Sequence, residues 1–401
     1  MLSIRDPVHG FIRADALEAA LINSRPLQRL RSIRQLGLAH LVFPGAEHSR
    51  FSHVLGAMEL AGRVYDALAA KSDGALPDHP RALERRLVRA AALLHDIGHA
   101  PFSHSAEELF EGGIDHEDMT RRLLHLPELT AIFAELGDGV DAEGISALLD
   151  GKGEGTGRIL CQMISGELDV DKMDYLLRDS LFCGVRYGNF DLPRLLDTII
   201  PIADEQGRWG VGVDAGGVHA LEALVLARYY MFTQVYFNVT GKVLELHLSR
   251  YLSESGERWP ADPEVFLEID DISVTAAMRR SPSRHAGAVL QRRLRYPLAF
   301  ETVEHLAEED RLRFERLLPE IRNRFGSANL LESHSAKDPH RLARYPVLVR
   351  RFDGSTVPME QASQFLRHLT RIDSYRIYST PEIRAEVAAA ITDGWASGNT
   401  R

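Results

Sequence analysis

Residues 91–104 read AALLHDIGHAPFSH, an apolar run that ends in three histidines and one aspartate within ten residues. On a helix, His95 and His99 lie on one face, because side chains four positions apart stack above each other. Gly98 and Pro101 end that helix, since both residue types disfavour its continuation. The last polar side chains are therefore expected at a helix end, where a pocket can open.

The adjacent pair His95–Asp96 predicts a metal site. A neutral imidazole together with a carboxylate oxygen suits a divalent first-row metal such as manganese, iron, nickel or zinc. The alternative is a pair of hydrogen-bonded core histidines beside a helix cap, which is the usual interpretation of a lone buried histidine. Two further histidines close to the pair favour the metal site here.

The composition is that of an ordinary globular protein. The chain has 401 residues, of which 45% are hydrophobic and 26% are charged, so it can bury a large core and form two lobes. The formal net charge of −10 argues against a surface that binds duplex nucleic acid. It leaves room for a local basic pocket that binds an anionic small molecule.

The chain carries no mark of a secreted or membrane protein. Cys161 and Cys183 form no disulfide framework and fit a reducing compartment. The N-terminal residues MLSIRDPVHG lack the apolar segment of a signal peptide, and no apolar run approaches the ~20 residues that a membrane span requires. We therefore expect a cytoplasmic protein that does not associate with membranes.

Hydrophobic periodicity predicts a mainly α-helical protein with a smaller mixed α+β lobe at its C-terminal end. The predicted helices cover residues 14–37, 52–71, 81–96, 103–112, 115–126, 127–136, 158–165, 169–179, 218–253 and 381–391. The alternating segment 198–214 predicts a β-hairpin, and segments 345–359 and 375–379 are typical of strands. We predict two domains, a helical core over residues 1–255 and a C-terminal lobe over residues 256–401.

The helix predicted over residues 169–179 carries a second polar pattern. Asp171, Tyr175 and Asp179 recur every four residues and therefore share one face, with Lys172 beside it. A solvated charge stripe is the usual interpretation of such a pattern. The neighbouring faces are apolar, so we expect the polar face to be buried against a polar ligand, such as a metal with a phosphate-bearing molecule.

Two weaker patterns follow. Arg228, Phe232 and Tyr236 also recur every four residues, and an arginine with two aromatics can bind a phosphate and stack on a base. Aromatic stripes at this spacing are more often plain core. His116 and Glu117 form an adjacent pair that could hold an imidazolium for proton transfer, although an acidic helix N-terminus explains them equally well.

These residues together resemble a known family. His53, His95–Asp96 and Asp171 occur in the order of the metal-binding signature of the HD phosphohydrolase superfamily. The segments DPVHGFI, QRLRSIRQLG, VFPGAEHSRFSH, LLHDIGHAPFSH and LDVDKMDYLLRD resemble the HD-domain deoxynucleoside triphosphate (dNTP) triphosphohydrolases, including the animal enzyme that pairs a SAM domain with this domain. The resemblance is close over residues 1–250 and looser to residue 401, and it implies a bacterial-type member with a catalytic HD core.

The resemblance implies a role for each matching residue. The implied ligands of a divalent metal (manganese, iron, nickel, zinc or magnesium) are His53, His95, Asp96 and Asp171. The implied proton-transfer and phosphate-contacting residues are His99, His116, Glu117 and His104. The implied triphosphate contacts are Arg50, Lys172 and Arg228. The implied deoxyribose and base contacts are Gln35, Leu36, Tyr175, Asp179 and Tyr236, with Phe232 where the family has a histidine.

In this family an activating nucleotide binds between the subunits of a homotetramer. The positions that match this activator pocket are Asn23, Gln28 and Arg31. Asn23 replaces an acidic residue that reads guanine, and an amide cannot accept two guanine donors as a carboxylate does. Arg5 replaces an asparagine. The resemblance thus implies an oligomer. Because of these replacements, it does not imply that the activator of this chain is a guanine nucleotide.

The resemblance implies a reaction in which metal-activated water attacks the α-phosphorus of a dNTP and releases deoxynucleoside and inorganic triphosphate. Two alternatives stay open at this point. The chain could be a phosphohydrolase of the same superfamily that acts on another nucleotide or on single-stranded nucleic-acid ends, which the acidic balance disfavours. It could also be a nucleotide sensor without catalysis, which the intact acid–base set disfavours.

Overall fold

The computed structural model describes residues 1–72, 81–103, 109–338 and 346–397. Residues 104–108, which are half of the helix predicted over residues 103–112 and include His104, lie outside the described residues. Within them, no helix is long and apolar enough to span a bilayer. The described chain is mainly helical.

The helices and strands follow in chain order. The helices are α1 (Ala16–Asn23), α2 (Arg25–Arg29), α3 (Arg50–Ala70), α4 (Arg81–Leu94), α5 (His116–Leu124), α6 (Pro127–Leu136), α7 (Ala142–Leu149), α8 (Gly157–Ser165), α9 (Val170–Cys183), α10 (Leu192–Thr198), α11 (Val218–Met231), α12 (Val239–Ser255), α13 (Pro263–Phe266), α14 (Asp271–Arg280), α15 (Arg284–Leu290), α16 (Glu308–Phe325), α17 (Met359–Ala362), α18 (Gln364–His368) and α19 (Arg384–Ser397). The strands are β1 (Leu2–Asp6), β2 (Gly10–Ala14), β3 (Ile199–Ala203), β4 (Trp209–Asp214), β5 (Leu298–Glu301), β6 (Leu330–Lys337), β7 (Leu348–Arg350), β8 (Thr356–Pro358) and β9 (Ile372–Ser379).

The chain divides into two compact units. The first contains Met1–Met231, Arg258–Val274 and a later segment that ends at Leu369. The second contains Phe232–Glu257, a segment that begins at Thr275 and a C-terminal segment that begins at Thr370. The boundary predicted between residues 255 and 256 stays a prediction, because each unit draws on separate stretches of the chain.

Helix α3 forms the centre of the first unit, where it packs against α4 and α9. Its buried stripe follows the 3.6-residue period of an amphipathic helix. The fully buried members of this stripe are Val54, Met58, Ala61, Val64 and Leu68. Because α4 and α9 bury their own apolar faces against α3, the polar ends of these three helices are brought to the same place.

The first unit also contains two sheets. Strands β1 and β2 form an antiparallel hairpin, and β3, β4, β7 and β8 form a four-stranded sheet in that order. The hairpin predicted over residues 198–214 is confirmed, with Ile199 opposite Val213. Strand β7 then adds to β4 in parallel, with Gly212 opposite Leu348. A distant part of the chain therefore completes this sheet.

The second unit is built on a three-stranded sheet in the order β5-β9-β6. Its apolar core packs side chains of α16 and α19 against that sheet. The central members of this core are Phe314, Ile377, Val387 and Ile391. The predicted fold class, a mainly helical core plus a smaller mixed α+β lobe, is confirmed.

The single helix predicted over residues 218–253 is wrong. Helix α11 ends at Met231, a π-helical turn covers Phe232–Tyr236, and α12 begins at Val239. Asn238 caps α12, because its side chain accepts hydrogen bonds from the backbone N–H groups of Thr240 and Gly241. The unbroken apolar periodicity concealed this cap.

The helix predicted over residues 14–37 is also interrupted. Helix α1 ends at Asn23, and Pro26 lies in the first turn of α2. Proline has no N–H group to donate to the carbonyl of Ile22, four residues earlier. The side-chain amide of Gln28 donates to that carbonyl instead, at 2.7 Å. Proline chemistry therefore outweighs the helical periodicity at this point.

Candidate metal centre

Three helix ends carry the side chains of the candidate metal centre. His53 lies in the first turn of α3, His95 directly follows α4, and Asp171 lies in the first turn of α9. The packing of α3 against α4 and α9 brings them together. The donor atoms of these three residues all lie within 4.8 Å of one another.

The geometry of this cluster fits a metal ion. The Nε2 atoms of His53 and His95 lie 3.0 Å and 3.6 Å from the same carboxylate oxygen, Oδ1 of Asp171. Both Nε2 atoms are buried and lack a hydrogen-bond partner. A buried polar atom without a partner destabilises the folded protein, so a metal ion that binds both nitrogens would remove this free-energy cost.

The other ring nitrogens fix the orientation of both histidines. His95 Nδ1 lies 2.8 Å from the carbonyl oxygen of Ala92, and His53 Nδ1 lies 2.8 Å from Oδ2 of Asp174. A carbonyl and a carboxylate only accept hydrogen bonds, so both Nδ1 atoms donate. The lone pairs on Nε2 then point toward a metal, as in metal sites where the acceptor bonded to the other ring nitrogen sets the tautomer.

Asp96 lies at the edge of this cluster. Its Oδ1 atom lies 3.3 Å from His95 Nε2 and 3.1 Å from His99 Nε2, and its Oδ2 atom accepts a hydrogen bond from Arg50. Burial raises the pKa of Asp96, but Arg50 and the neighbouring histidines outweigh burial and hold that pKa well below its usual range. Asp96 is therefore an ionised carboxylate, and its role as a fourth ligand stays a prediction.

The electrostatic surroundings favour a cation. Burial lowers the pKa of His53, but the adjacent carboxylates of Asp171 and Asp174 outweigh burial and raise that pKa to about 10. The pKa of Asp171 is lowered, because the two histidines outweigh the effect of its burial. When no metal is bound, His53 is protonated and supplies the positive charge itself. A metal ion and a proton therefore compete for His53.

Of the candidate acid–base residues, His99 and His116 contact each other, and Glu117 does not join them. The rings of His99 and His116 stack with centroids 4.3 Å apart and an interplanar angle of 18°. Burial, followed by the charge of Arg50, lowers the pKa of His99 well below its usual value. Glu117 has a side chain that is 66% exposed and lies 3.6 Å from Arg121. The pair His99–His116 is thus brought to the centre, whereas Glu117 lies at the surface.

Known families match the segment that carries these side chains. Residues 50–178 match the HD domain, and residues 190–312 match the HD associated region. The chain belongs to the HD phosphohydrolase family. A hypothetical protein from Aquifex aeolicus of known crystal structure superposes on this HD phosphohydrolase with a TM-score of 0.81 at 30% identity, covering 97% of this chain and 99% of that chain.

Two relatives show how far the similarity extends in sequence. The uncharacterized protein YwfO of Bacillus subtilis is 37% identical over 282 residues, which are 68% of this chain and 61% of that protein. The deoxynucleoside triphosphate triphosphohydrolase SAMHD1 homolog of Dictyostelium discoideum is 32% identical over 286 residues, 67% of this chain and 53% of that protein. This HD phosphohydrolase therefore spans less than two thirds of the length of these relatives.

The HD associated region contributes to the loop that follows the HD motif. Phe102 and Ser103 both have positive φ angles, 56° and 55°, which is strained for residues with a side chain. The N–H group of Phe102 donates to the buried carboxylate of Asp271 at 2.9 Å, and Arg50 donates to Ser103 Oγ at 3.0 Å. These bonds hold the loop in its strained form at the edge of the metal centre.

Gly98 allows helix α5 to approach the metal centre. A Cβ atom at this position would lie 2.2 Å from the carbonyl oxygen of His116 and 2.4 Å from the backbone nitrogen of Thr120. Its N–H group also donates to Thr120 Oγ1 at 3.1 Å. The absence of a side chain here therefore sets the distance between His99 and His116.

Replacement of Gly98 by alanine is expected to destabilise the protein by about 1–3 kcal/mol, because a rigid backbone must move to admit the methyl group. Urea unfolding followed by circular dichroism measures this loss. The matched control is Gly157→Ala, where a Cβ atom meets nothing within 4 Å; its free energy of unfolding should be unchanged or slightly raised. Equal stability of the Gly98 and Gly157 variants would contradict this account of the close approach.

The predicted triphosphate contacts are each paired with a buried acid. Lys172 forms an ion pair with Asp169, and Arg228 donates to Glu167 at 2.9 Å. Arg50 binds Asp96, as described above. These pairs fix the positions of the three cations in the HD phosphohydrolase.

Two of the predicted sugar contacts, Gln35 and Asp179, bind His48. Its Nε2 atom is 2.8 Å from Oδ1 of the buried Asp179, and its carbonyl oxygen accepts the N–H group of Gln35 at 3.0 Å. Gln35 Oε1 is buried without a hydrogen-bond partner, as a site for a hydroxyl donor requires. Leu36 and Tyr175 are both half-buried. His48 was not predicted from the sequence, although the segment VFPGAEHSRFSH contains it.

The remaining predicted contacts have partners within their own units. The rings of Phe232 and Tyr236 are 5.0 Å apart in the second unit, so their role at a base stays a prediction. Asn23 donates to the carbonyl oxygen of Ala19 at 2.8 Å. Gln28 accepts a hydrogen bond from Arg31, whose guanidinium lies 3.7 Å from the centroid of the Phe51 ring. Nucleotide binding at these last positions also stays a prediction.

Proposed function

We propose that this HD phosphohydrolase hydrolyses dNTPs to a deoxynucleoside and inorganic triphosphate. The observation that carries the proposal is the face of α9, where the candidate ligand Asp171 is followed at four-residue spacing by Tyr175 and Asp179. One face of one helix thus presents a metal ligand, an aromatic ring and a hydrogen-bond acceptor in a row. The similarity to a named dNTP triphosphohydrolase supports the same substrate.

A divalent ion held by His53, His95, Asp171 and Asp96 would supply Lewis acidity to a phosphoryl oxygen and lower the pKa of a water molecule. The donor set of two imidazoles and carboxylates suits manganese, iron, nickel or zinc, and magnesium is a further candidate. His99 and His116, whose rings stack, would relay a proton toward the leaving 5′-oxygen, and His104 and Glu117 are proposed to assist.

The paired cations would bind the triphosphate. Arg50, Lys172 and Arg228 are already held by buried acids, so little reorganisation is needed when the phosphates arrive. Gln35 and Asp179 would bind the 3′-hydroxyl, and Tyr175 beneath C2′ would exclude a ribonucleotide. We propose that Leu36 contacts the sugar.

The proposal includes regulation and assembly. We propose that a nucleotide activator binds near Asn23, Gln28 and Arg31 at the interface of a cytoplasmic homotetramer. The amide of Asn23 can both donate and accept, so the activator need not be a guanine nucleotide. Size-exclusion chromatography with and without dNTPs measures this assembly.

The reaction is tested by incubating the purified protein with Mn²⁺ or Mg²⁺ and each dNTP, singly and in mixtures, and separating the products by ion-exchange chromatography. We expect deoxynucleoside and triphosphate in equal amounts, and in ¹⁸O-labelled water the label should enter the triphosphate, because the attack is at the α-phosphorus. Ribonucleotides and single-stranded oligonucleotides serve as controls. Monophosphate with pyrophosphate, or no turnover of any dNTP, would contradict the proposal.

A further inference from the structure

Asp174 lies behind the metal centre and binds four donor groups. This carboxylate is fully buried on α9. Its Oδ2 atom lies 2.8 Å from His53 Nδ1 and 2.8 Å from Arg178 Nε. Its Oδ1 atom lies 2.6 Å from His9 Nε2 and 2.9 Å from Arg178 Nη2. Both oxygens are therefore saturated, and the carboxylate has one rotational position.

The four contacts have different consequences. Arg178 binds both oxygens in a fork, and this bidentate ion pair by itself compensates the buried charge. The contact with His53 fixes the orientation of the His53 ring at the metal centre, because its Nδ1–H group must point at Oδ2. His9 binds the opposite oxygen, Oδ1, which Nη2 of Arg178 also contacts. Compensation of the Asp174 charge by Arg178 therefore does not require the contact with His9.

The N-terminal hairpin places His9. The carboxylate of Asp6 accepts the backbone N–H groups of Val8 and His9 at 2.9 Å and 2.8 Å, which closes the turn between β1 and β2. The other oxygen of Asp6 accepts a hydrogen bond from Arg178 at 2.8 Å. Gly10 follows with a φ angle of 80°, which glycine adopts without strain. The turn is therefore attached directly to the network behind the metal ligand.

Helix α3 makes room for this network. A Cβ atom at Gly56 would lie 1.9 Å from Oδ1 of Asp174 and 2.3 Å from Nη2 of Arg178. Glycine in a helix interior costs about 1 kcal/mol relative to alanine. The helix thus lacks a side chain one turn after His53, at the place where the carboxylate and the guanidinium approach it.

We propose that His9 is a positioning residue for the metal centre, acting through Asp174 on His53. The inference deepens the proposed function and rests on its metal centre, although not on the identity of the nucleotide. His9 holds Asp174 from one side, so that the opposite oxygen presents a fixed acceptor to His53 Nδ1. Groups bonded directly to a metal-binding histidine typically raise metal affinity by about 10–100-fold, and Asp174 holds this place for His53.

The test is Mn²⁺ binding to the metal-free protein, measured by isothermal titration calorimetry for His9→Ala and His9→Gln. The amide nitrogen of glutamine reaches about as far as Nε2 of histidine and donates an N–H group. We expect His9→Ala to raise the Kd for Mn²⁺ by about 10–100-fold and His9→Gln to restore most of the affinity. The matched control is His219→Ala, whose side chain is 94% exposed and should leave the Kd unchanged.

Thermal unfolding of the metal-free variants separates positioning from plain structural support. A lower Tm for His9→Ala with an unchanged Kd would overturn the inference, as would a glutamine variant that binds Mn²⁺ no better than the alanine variant. Absence of Mn²⁺ binding by the unchanged protein would overturn both the inference and the metal-dependent reaction. Normal, His9-dependent Mn²⁺ binding without dNTP turnover would support the inference and contradict only the proposed substrate.

Discussion

Replacement of Asp171 by asparagine is expected to lower kcat/KM by about 10³-fold or more and to weaken Mn²⁺ binding beyond the range of calorimetry. Asp171 Oδ1 faces the Nε2 atoms of both His53 and His95, so the asparagine amide removes the negative charge that lies between the two imidazoles. A factor of 10³ corresponds to about 4 kcal/mol of transition-state stabilisation, which is within the range of a catalytic metal.

The matched control for this variant is Asp66→Asn. Asp66 lies on α3, the helix of His53, but its side chain is 56% exposed and pairs with Arg85. We expect unchanged Mn²⁺ affinity and unchanged kcat/KM. Because the Asp171 side chain is 36% exposed and asparagine has the same shape, the Asp171 variant should fold. An Asp171 variant that retains wild-type Mn²⁺ affinity would show that the metal binds elsewhere.

Replacement of Arg178 by methionine is expected to lower the free energy of unfolding of the first unit by about 3–5 kcal/mol. The Arg178 side chain is fully buried and bridges Asp6 and Asp174. Its removal leaves two buried carboxylates without their cation, which is the costly way to break a buried ion pair. Urea unfolding measures the loss.

Arg85→Met is the control for this second variant. Arg85 pairs with Asp66 at a site where both side chains are substantially exposed, so the loss should stay below about 1 kcal/mol. Similar losses for the two arginine variants would contradict the importance assigned to the buried network.

The effect of the Arg178 replacement should depend on pH. Burial raises the pKa of Asp174, but Arg178 and the two histidines outweigh burial and hold that pKa well below its usual value. A lowered pKa stabilises the folded protein above the unfolded value of about 3.9, and this contribution is lost as pH falls through the folded pKa. The difference in free energy of unfolding between the wild type and the Arg178 variant is therefore expected to be largest at pH 6 and to decrease below about pH 4.

The sequence predicts the candidate metal ligands well, but it does not predict the residues that hold those ligands in position. His53, His95 and Asp171 meet because each lies at the end of a helix whose apolar stripe is visible in the sequence. Asp174 lies on the same helix as Asp171, yet nothing local shows that its partners are His9 and His53. Such long-range contacts depend on how the elements pack, and periodicity carries no information about that.

The errors in the predicted fold have similar causes. The break before α12 depends on the side chain of Asn238, which competes with the helix for backbone N–H groups. The break after α1 follows from Pro26, whose missing donor is replaced by the amide of Gln28. Strand β7 is recognisable as a strand, but its parallel pairing with β4 has no local signal at all.

The parallel pairing of β4 with β7 has a consequence for synthesis on the ribosome. More than a hundred residues separate the two strands, and at the usual rate of elongation β4 emerges on the order of ten seconds before β7. During this interval the outer edge of β4 has unpaired N–H and C=O groups, and an open apolar strand edge can pair with other chains. The nascent chain is therefore most vulnerable to aggregation after its metal ligands have been synthesised and before its last sheet strands follow.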